Sequence, residues 1–225
     1  MWRSTTASFA ALWLWASPAF AAGGSDVIDD STPETPGHCH LDARGVLGTF
    51  DVRAIGFAPA CTLDAMPKLE IGAAFLHTSS NAGIDPTLGP ALKLNLREEE
   101  TGLGAGLIGQ ANFNLKSGRM DTAAIVVPVT VPLGKAVTWN TDFGGIYNLA
   151  GTHEQGFAGT QIEADIGGDL NLMGEVYGRA PGHGGAQIRL RWTPGGGNFD
   201  FDLLYGLYPD GFTAREFTIG VTIRT

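Results

Sequence analysis

From Thr49 onward, apolar and polar side chains alternate with a period of two, and turn-forming residues cut the alternation into segments. Between residues 101 and 115, Leu103, Ala105, Leu107, Ala111, Phe113 and Leu115 share one face, while Gly102, Gly104, Gly106, Gln110, Asn112 and Asn114 share the other. Ile108 stands on the wrong side of that pattern. Residues 136–150 set Val137, Trp139, Phe143, Tyr147 and Leu149 against Thr138, Asn140, Asp142 and Asn148. The end of the chain repeats this, with Phe217, Ile219, Val221 and Ile223 opposed to Glu216, Thr218, Gly220, Thr222 and Arg224. Seven further stretches behave alike: 68–78, 88–97, 121–131, 157–167, 170–179, 186–193 and 198–206. The pattern predicts ten strands, with an eleventh candidate at 46–57. A helical reading fails because Gly recurs inside the segments and no apolar stripe repeats at three and four residues.

Most of these strands have the length, about 9 to 11 residues, that a tilted strand needs to cross a bilayer. The connections alternate too. Tight turns are expected at 132–135, 167–169 and 194–197, and longer polar loops at 79–87, 151–156 and 207–213, as at the two rims of a transmembrane barrel. Trp139, Tyr147, Trp192, Phe199 and Tyr205 sit near segment ends, where an interfacial girdle would place them.

The polar face decides between a soluble and a membrane barrel. A soluble outer face is normally rich in Lys and Glu. Here it is mostly Gly, Asn, Gln and Thr, with Lys93, Arg97, Arg189, Arg191 and Arg224 mixed among Glu70, Asp142, Glu163, Asp165, Glu175, Asp200, Asp202 and Glu216. Opposite charges interspersed in that way suit an enclosed lumen in which they pair. The fold expected is all-β, an antiparallel up-and-down transmembrane barrel of ten to twelve strands. A turn centred near Gly195 and Gly196 would bring Arg191 opposite Asp200 and Arg189 opposite Asp202.

Composition agrees with that reading and removes other classes. Only 16% of the 225 residues are charged, 33 are Gly, and the net charge of −9 leaves no basic face for nucleic acid. Residues 1–21 join a basic start to the apolar run ASFAALWLWA, then Ser17-Pro18 and the Ala19-x-Ala21 triplet of a cleaved secretory signal. Residues 22–45 begin small, acidic and without period, and are expected to form a flexible mature N-terminus ahead of a barrel spanning 46–225.

Three stretches carry a family likeness: WNTDFGGIYNLAG at 139–151, LMGEVYGR at 172–179, and NFDFDLLYGLYPDG at 198–211 followed by FTIGVTIRT. Together they resemble the Gram-negative outer-membrane barrels of the phenol-degradation MetA-pathway, a transporter-like family. The resemblance covers about residues 49–225. It implies a barrel of ten to twelve strands in the outer membrane that passes small, often hydrophobic molecules, and it brings no catalytic residues. It also favours including the uncertain strand. With a partner near residues 38–44 that strand makes twelve, because both ends of a bacterial barrel lie in the periplasm. The chain departs from such barrels in ending Ile223-Arg224-Thr225 rather than on an aromatic residue.

Cys39 and Cys61 are the only cysteines, and in an oxidising compartment pairing is the favoured reading. A metal site built from His38, Cys39, His40 and Cys61 matches none of the common zinc spacings. His77, His153 with Glu154, and His183 fall near expected loops, and Ser79, Ser80 and Ser117 offer hydroxyls, but nothing in the sequence fixes their mutual distance. The sequence therefore points to a monomeric, non-enzymatic channel or transporter for small molecules without cofactor or metal. Its partners would be outer-membrane lipid and the barrel assembly machinery. A non-conducting barrel plugged by paired charges and acting through its loops, a soluble exported β-barrel and a barrel hydrolase are the alternatives.

Overall fold

The computed structural model describes residues 25–81, 83–148 and 153–225, the side chains of Thr101 and His153 excepted; the expected signal segment lies outside them. Twelve strands follow in chain order: β1 (Cys39–Gly48), β2 (Arg53–Thr62), β3 (Leu69–Ser80), β4 (Gly83–Arg97), β5 (Gly104–Asn114), β6 (Met120–Pro132), β7 (Val137–Asn148), β8 (His153–Gly167), β9 (Leu170–Ala180), β10 (Gly184–Trp192), β11 (Phe199–Leu207) and β12 (Glu216–Arg224). Each pairs antiparallel with its neighbours, and β1 pairs with β12 to close the barrel. Closure leaves no sheet edge, so every strand can satisfy its backbone groups within the wall.

The uncertain strand has its partner. β1 and β2 form a hairpin in which Cys39 lies opposite Cys61, and the two are joined in a disulfide. The wall thus begins at Cys39 rather than at residue 46. His40, Asp42 and Arg44 take the inward positions of β1, while the outward Ala43 and Gly45 are too small to make an apolar face visible in sequence.

Both ends of the wall lie at one rim, together with the tight turns after β6, β8 and β10. The β8–β9 turn has only Gly168 and Asp169 between the paired Gly167 and Leu170, both at positive φ (66° and 63°). That is the requirement of a type I′ hairpin, and Gly meets it at no steric cost. The opposite rim differs from expectation. β3 runs through Ser80, β4 resumes at Gly83 and β8 starts at His153, so most of the polar stretches 79–87 and 151–156 are strand. Cross-strand hydrogen bonding accommodates polar residues there, because wall positions above an apolar band need no apolar side chain. The segment 208–215 between β11 and β12 remains as a long loop.

The two faces separate cleanly. β2 and β11 alternate exposed and buried residue by residue, with Phe199, Phe201, Leu203, Tyr205 and Leu207 outward and Asp200, Asp202 and Leu204 inward. Ile125 is 64% exposed on β6 while its neighbour Val126 is 6%. Trp139, Trp192 and Phe199 lie outward near one rim, and Tyr147 and Tyr205 lie outward near the other. At ~3.3 Å per residue and a tilt of ~40°, Trp139 and Tyr147 are about 20 Å apart along the axis. An apolar band therefore circles the outside, and the buried charges are inside.

Candidate functional site in the barrel lumen

Residues 25–37 do not trail away from the wall. Gly37 donates to the Thr62 carbonyl at the rim (2.8 Å), and the chain before it runs inside the barrel. Val27, Ile28 and Ser31 are exposed by 2%, 1% and 0%. Inward side chains of the wall receive its amides one after another. The Val27 and Ile28 N–H groups donate to the two oxygens of Glu175 (3.0 and 3.1 Å). Asp29 donates to Asp142 (3.0 Å), Ser31 to the Thr130 hydroxyl (2.8 Å) and Glu34 to Glu70 (2.7 Å).

The carbonyls are met in the same manner. Gln187 donates to Ser25, Gln161 to Ile28, Asn95 to Ser31 and Lys93 to Thr32, at 3.0 to 3.3 Å. Charges complete the docking: Lys93 Nζ lies 2.9 Å from Asp29 and 3.1 Å from Asp30, and Arg189 pairs with Asp26. Val27 and Ile28 enter an apolar cluster made by the inward Ile108, Ala124, Val126, Ile146, Phe157 and Tyr177. A Cβ on Gly104 or Gly159 would collide with Ser31 Oγ or Ile28 Cδ1, so at these two positions Gly makes room for the segment. Glu99, in the turn after β4, is held above the usual carboxylate range by burial, with Asp30 and Glu100 adding to the effect.

On the other side of the lumen the wall pairs with itself. Arg191 grips Asp202 through Nε and Nη2 (2.8 and 2.9 Å) and reaches Asp200 at 3.5 Å. Arg224 meets Asp200 at 2.6 Å, and Arg189 adds Glu163 at 3.0 Å and Asp202 at 3.8 Å. The register differs from the one expected. Asp202 is opposite Arg191 and Leu204 opposite Arg189, because the β10–β11 turn is centred between Gly196 and Gly197. A centre displaced by one residue moves each partner by two, which keeps the same face and hence the same set of charges in contact.

The end of the lumen opposite the rim that bears both chain ends of the wall is covered from within. Arg179 donates to the carbonyls of Tyr208 and Pro209 (3.3 and 2.6 Å) and lies over the rings of Phe157 and Tyr177. It thus ties the 208–215 loop down, and His183 stacks on Tyr208 at 4.8 Å. Between the docked segment and the walls of β1 and β10–β12 there remains a cavity of about 450 Å³, lined by Asp30, Glu34, Arg44, Lys93, Arg189 and Arg191 among others.

Of the thirteen charged residues placed on the polar face from sequence, Glu70, Lys93, Asp142, Glu175, Arg189, Asp200 and Asp202 are buried inside. Glu163, Arg191, Glu216 and Arg224 are half-buried on the inward parity. Arg97 follows a break in register after Asn95 and Asp165 accepts from the Gly167 amide, and both are exposed at the rim rather than inside. The disulfide takes the thiols of Cys39 and Cys61 out of any ligand set. His77 lies on β3, Ser117 in the turn after β5 and His183 in the turn after β9, so these candidates belong to separate parts of the wall.

A family model described as uncharacterised conserved protein UCP029691 matches residues 10–225. The chain belongs to that family. Its description is not that of the MetA-pathway barrels. No curated protein matches the chain. Among solved structures, the KdgM porin superposes with a TM-score of 0.64 over 82% of this chain and 98% of its own, at 6% identity. The NanC porin gives 0.62 over 81% and 98%, at 10% identity. Outer membrane phospholipase A from Escherichia coli gives 0.50 over 85% and 90%, at 14% identity. What these chains share at such identities is the fold, a closed antiparallel barrel.

Proposed function

We propose that this protein is an outer-membrane β-barrel channel that passes small molecules through a charged lumen. The observation that carries the reading is the separation of faces: an apolar band between two aromatic belts outside, and ion pairs around a cavity inside. Lipid would cover the band, and the rim bearing both ends of the wall would face the periplasm. The porin-like fold supports the same placement.

The finer assignment is to small hydrophobic or aromatic permeants. It is supported by the MetA-pathway resemblance at 139–151 and 198–211, and by the apolar inner patch of Ile108, Val126, Ile146, Phe157 and Tyr177. A second reading, a closed barrel that conducts nothing, is favoured by the segment and loop that occupy the lumen. Conductance of the folded, full-length protein in planar bilayers separates the two. Discrete single-channel steps are expected, and their absence in every variant with a cleared lumen would overturn the channel.

A further inference from the structure

The contacts of residues 25–35 have the character of a ligand in a site. They form no strand, so no backbone ladder joins them to the wall. Wall side chains hold them instead, by carboxylates or a hydroxyl at amide positions and by side-chain amides or Lys93 at carbonyl positions. Contacts of that kind are made to the main chain, so they read backbone positions rather than a particular sequence. Added to them are the groove left by Gly104 and Gly159 and the apolar seat for Val27 and Ile28.

The segment is covalently joined to the wall at one end alone, so it can leave without breaking a strand pairing. It joins β1 through Gly37, whose φ of +82° is a left-handed conformation suited to glycine. Just beyond that hinge, the Cys39–Cys61 disulfide fixes the start of β1 to β2. Departure would clear the segment's share of the lumen and uncover the inner apolar patch.

We infer that the inner wall of β4–β9 is a binding site for an acidic peptide segment, occupied reversibly in cis by residues 25–35, which gate the lumen by swinging at Gly37. This rests on the channel reading above. The full-length double variant Val27→Asp/Ile28→Asp keeps every wall residue and sets two new carboxylates against the apolar seat and Glu175. In planar bilayers its single-channel conductance is expected to rise several-fold over that of the wild-type protein. A synthetic peptide of residues 25–37, added from the side of the Gly37 rim, should lower it again where a scrambled peptide does not. Heat-modifiable gel mobility verifies that the variant barrel is folded. Equal conductance in variant and wild type would overturn the gate while leaving the channel standing. Folded barrels that are both silent would overturn the channel reading and the gate with it. An opened variant that ignores the peptide would show the segment to be a fixed part of the barrel and overturn the binding site.

Discussion

On β10–β12 the buried charges meet one another: Arg191 is held by Asp202 and Asp200, and Arg224 by Asp200. On β4, β7 and β9 the more deeply buried Lys93, Asp142 and Glu175 face the lumen and are answered by residues 27–30, which are not part of the wall. Both halves have the inward parity and similar composition. The difference is in who supplies the partner. On β10–β12 the wall supplies most of its own partners, with Arg189 and Arg224 also reaching Asp26 and Glu34 of the segment, so its pairing belongs chiefly to the stability of the barrel. A wall whose carboxylates accept from a separate backbone is incomplete alone, since a buried acceptor left unmet costs free energy.

The sharpest way to break that comparison is to attack the self-paired half. Arg191→Glu sets three carboxylates together and should lower barrel stability by about 3 to 5 kcal/mol, as removal of one partner of a buried pair does. It would be read as a lower midpoint for the change in heat-modifiable mobility. Adding Asp202→Arg should recover most of the loss, and a double variant no better than the single one would dismiss the pairing. On the other half, Glu175→Gln keeps one acceptor oxygen but loses the second. The expected loss is about 1.5 to 3 kcal/mol of segment docking, with the wall barely affected. Hydrogen exchange at the Val27 and Ile28 amides should accelerate while the mobility midpoint stays. A midpoint shift as large as that of Arg191→Glu would erase the distinction between the halves. The smallest effect is expected at the loop-covered end of the lumen, where Arg179→Lys loses the planar fork that reaches two carbonyls. The 208–215 loop should loosen by about 1 kcal/mol, measured as faster tryptic cleavage after the exposed Arg215.

The wall was legible in the sequence because a strand with lipid on one side and water on the other must alternate. The faces of β5, β7 and β12 follow directly from that constraint. The docked segment was hidden for the converse reason. A peptide held through its own N–H and C=O groups needs no periodic side chains, so 22–35 looks unstructured. Its trace lay in the wall, as violations of parity. Ile108, out of place in an otherwise regular strand, is 1% exposed against the segment, and the inward Ile146 and Val126 lie in the same cluster. The inward glycines of β5 were read as part of a polar face, although Gly104 is a cut-out for Ser31. The β10–β11 register differs by two from the expected one because the turn, with Gly195 and Gly196 at positive φ, is centred between Gly196 and Gly197.

The seam between β1 and β12 sets an order of assembly. Asp42 and Thr222, which meet across it, are 180 positions apart, whereas every other strand pairs with its neighbour in sequence. Loop-closure entropy grows with the logarithm of the separation, so the hairpins can zip early and the seam is the slowest contact to find. Until it closes, the curved sheet is open along one side and its groove faces solution. Residues 25–35 precede β1 and can lie down in that groove sideways, with no need to thread a finished ring. The Cys39–Cys61 crosslink spans a sequence separation of 22 and removes about 3 kcal/mol of chain entropy, so the β1 margin arrives as a stiff hairpin. Zipping β1 to β12 then encloses a guest that is already seated.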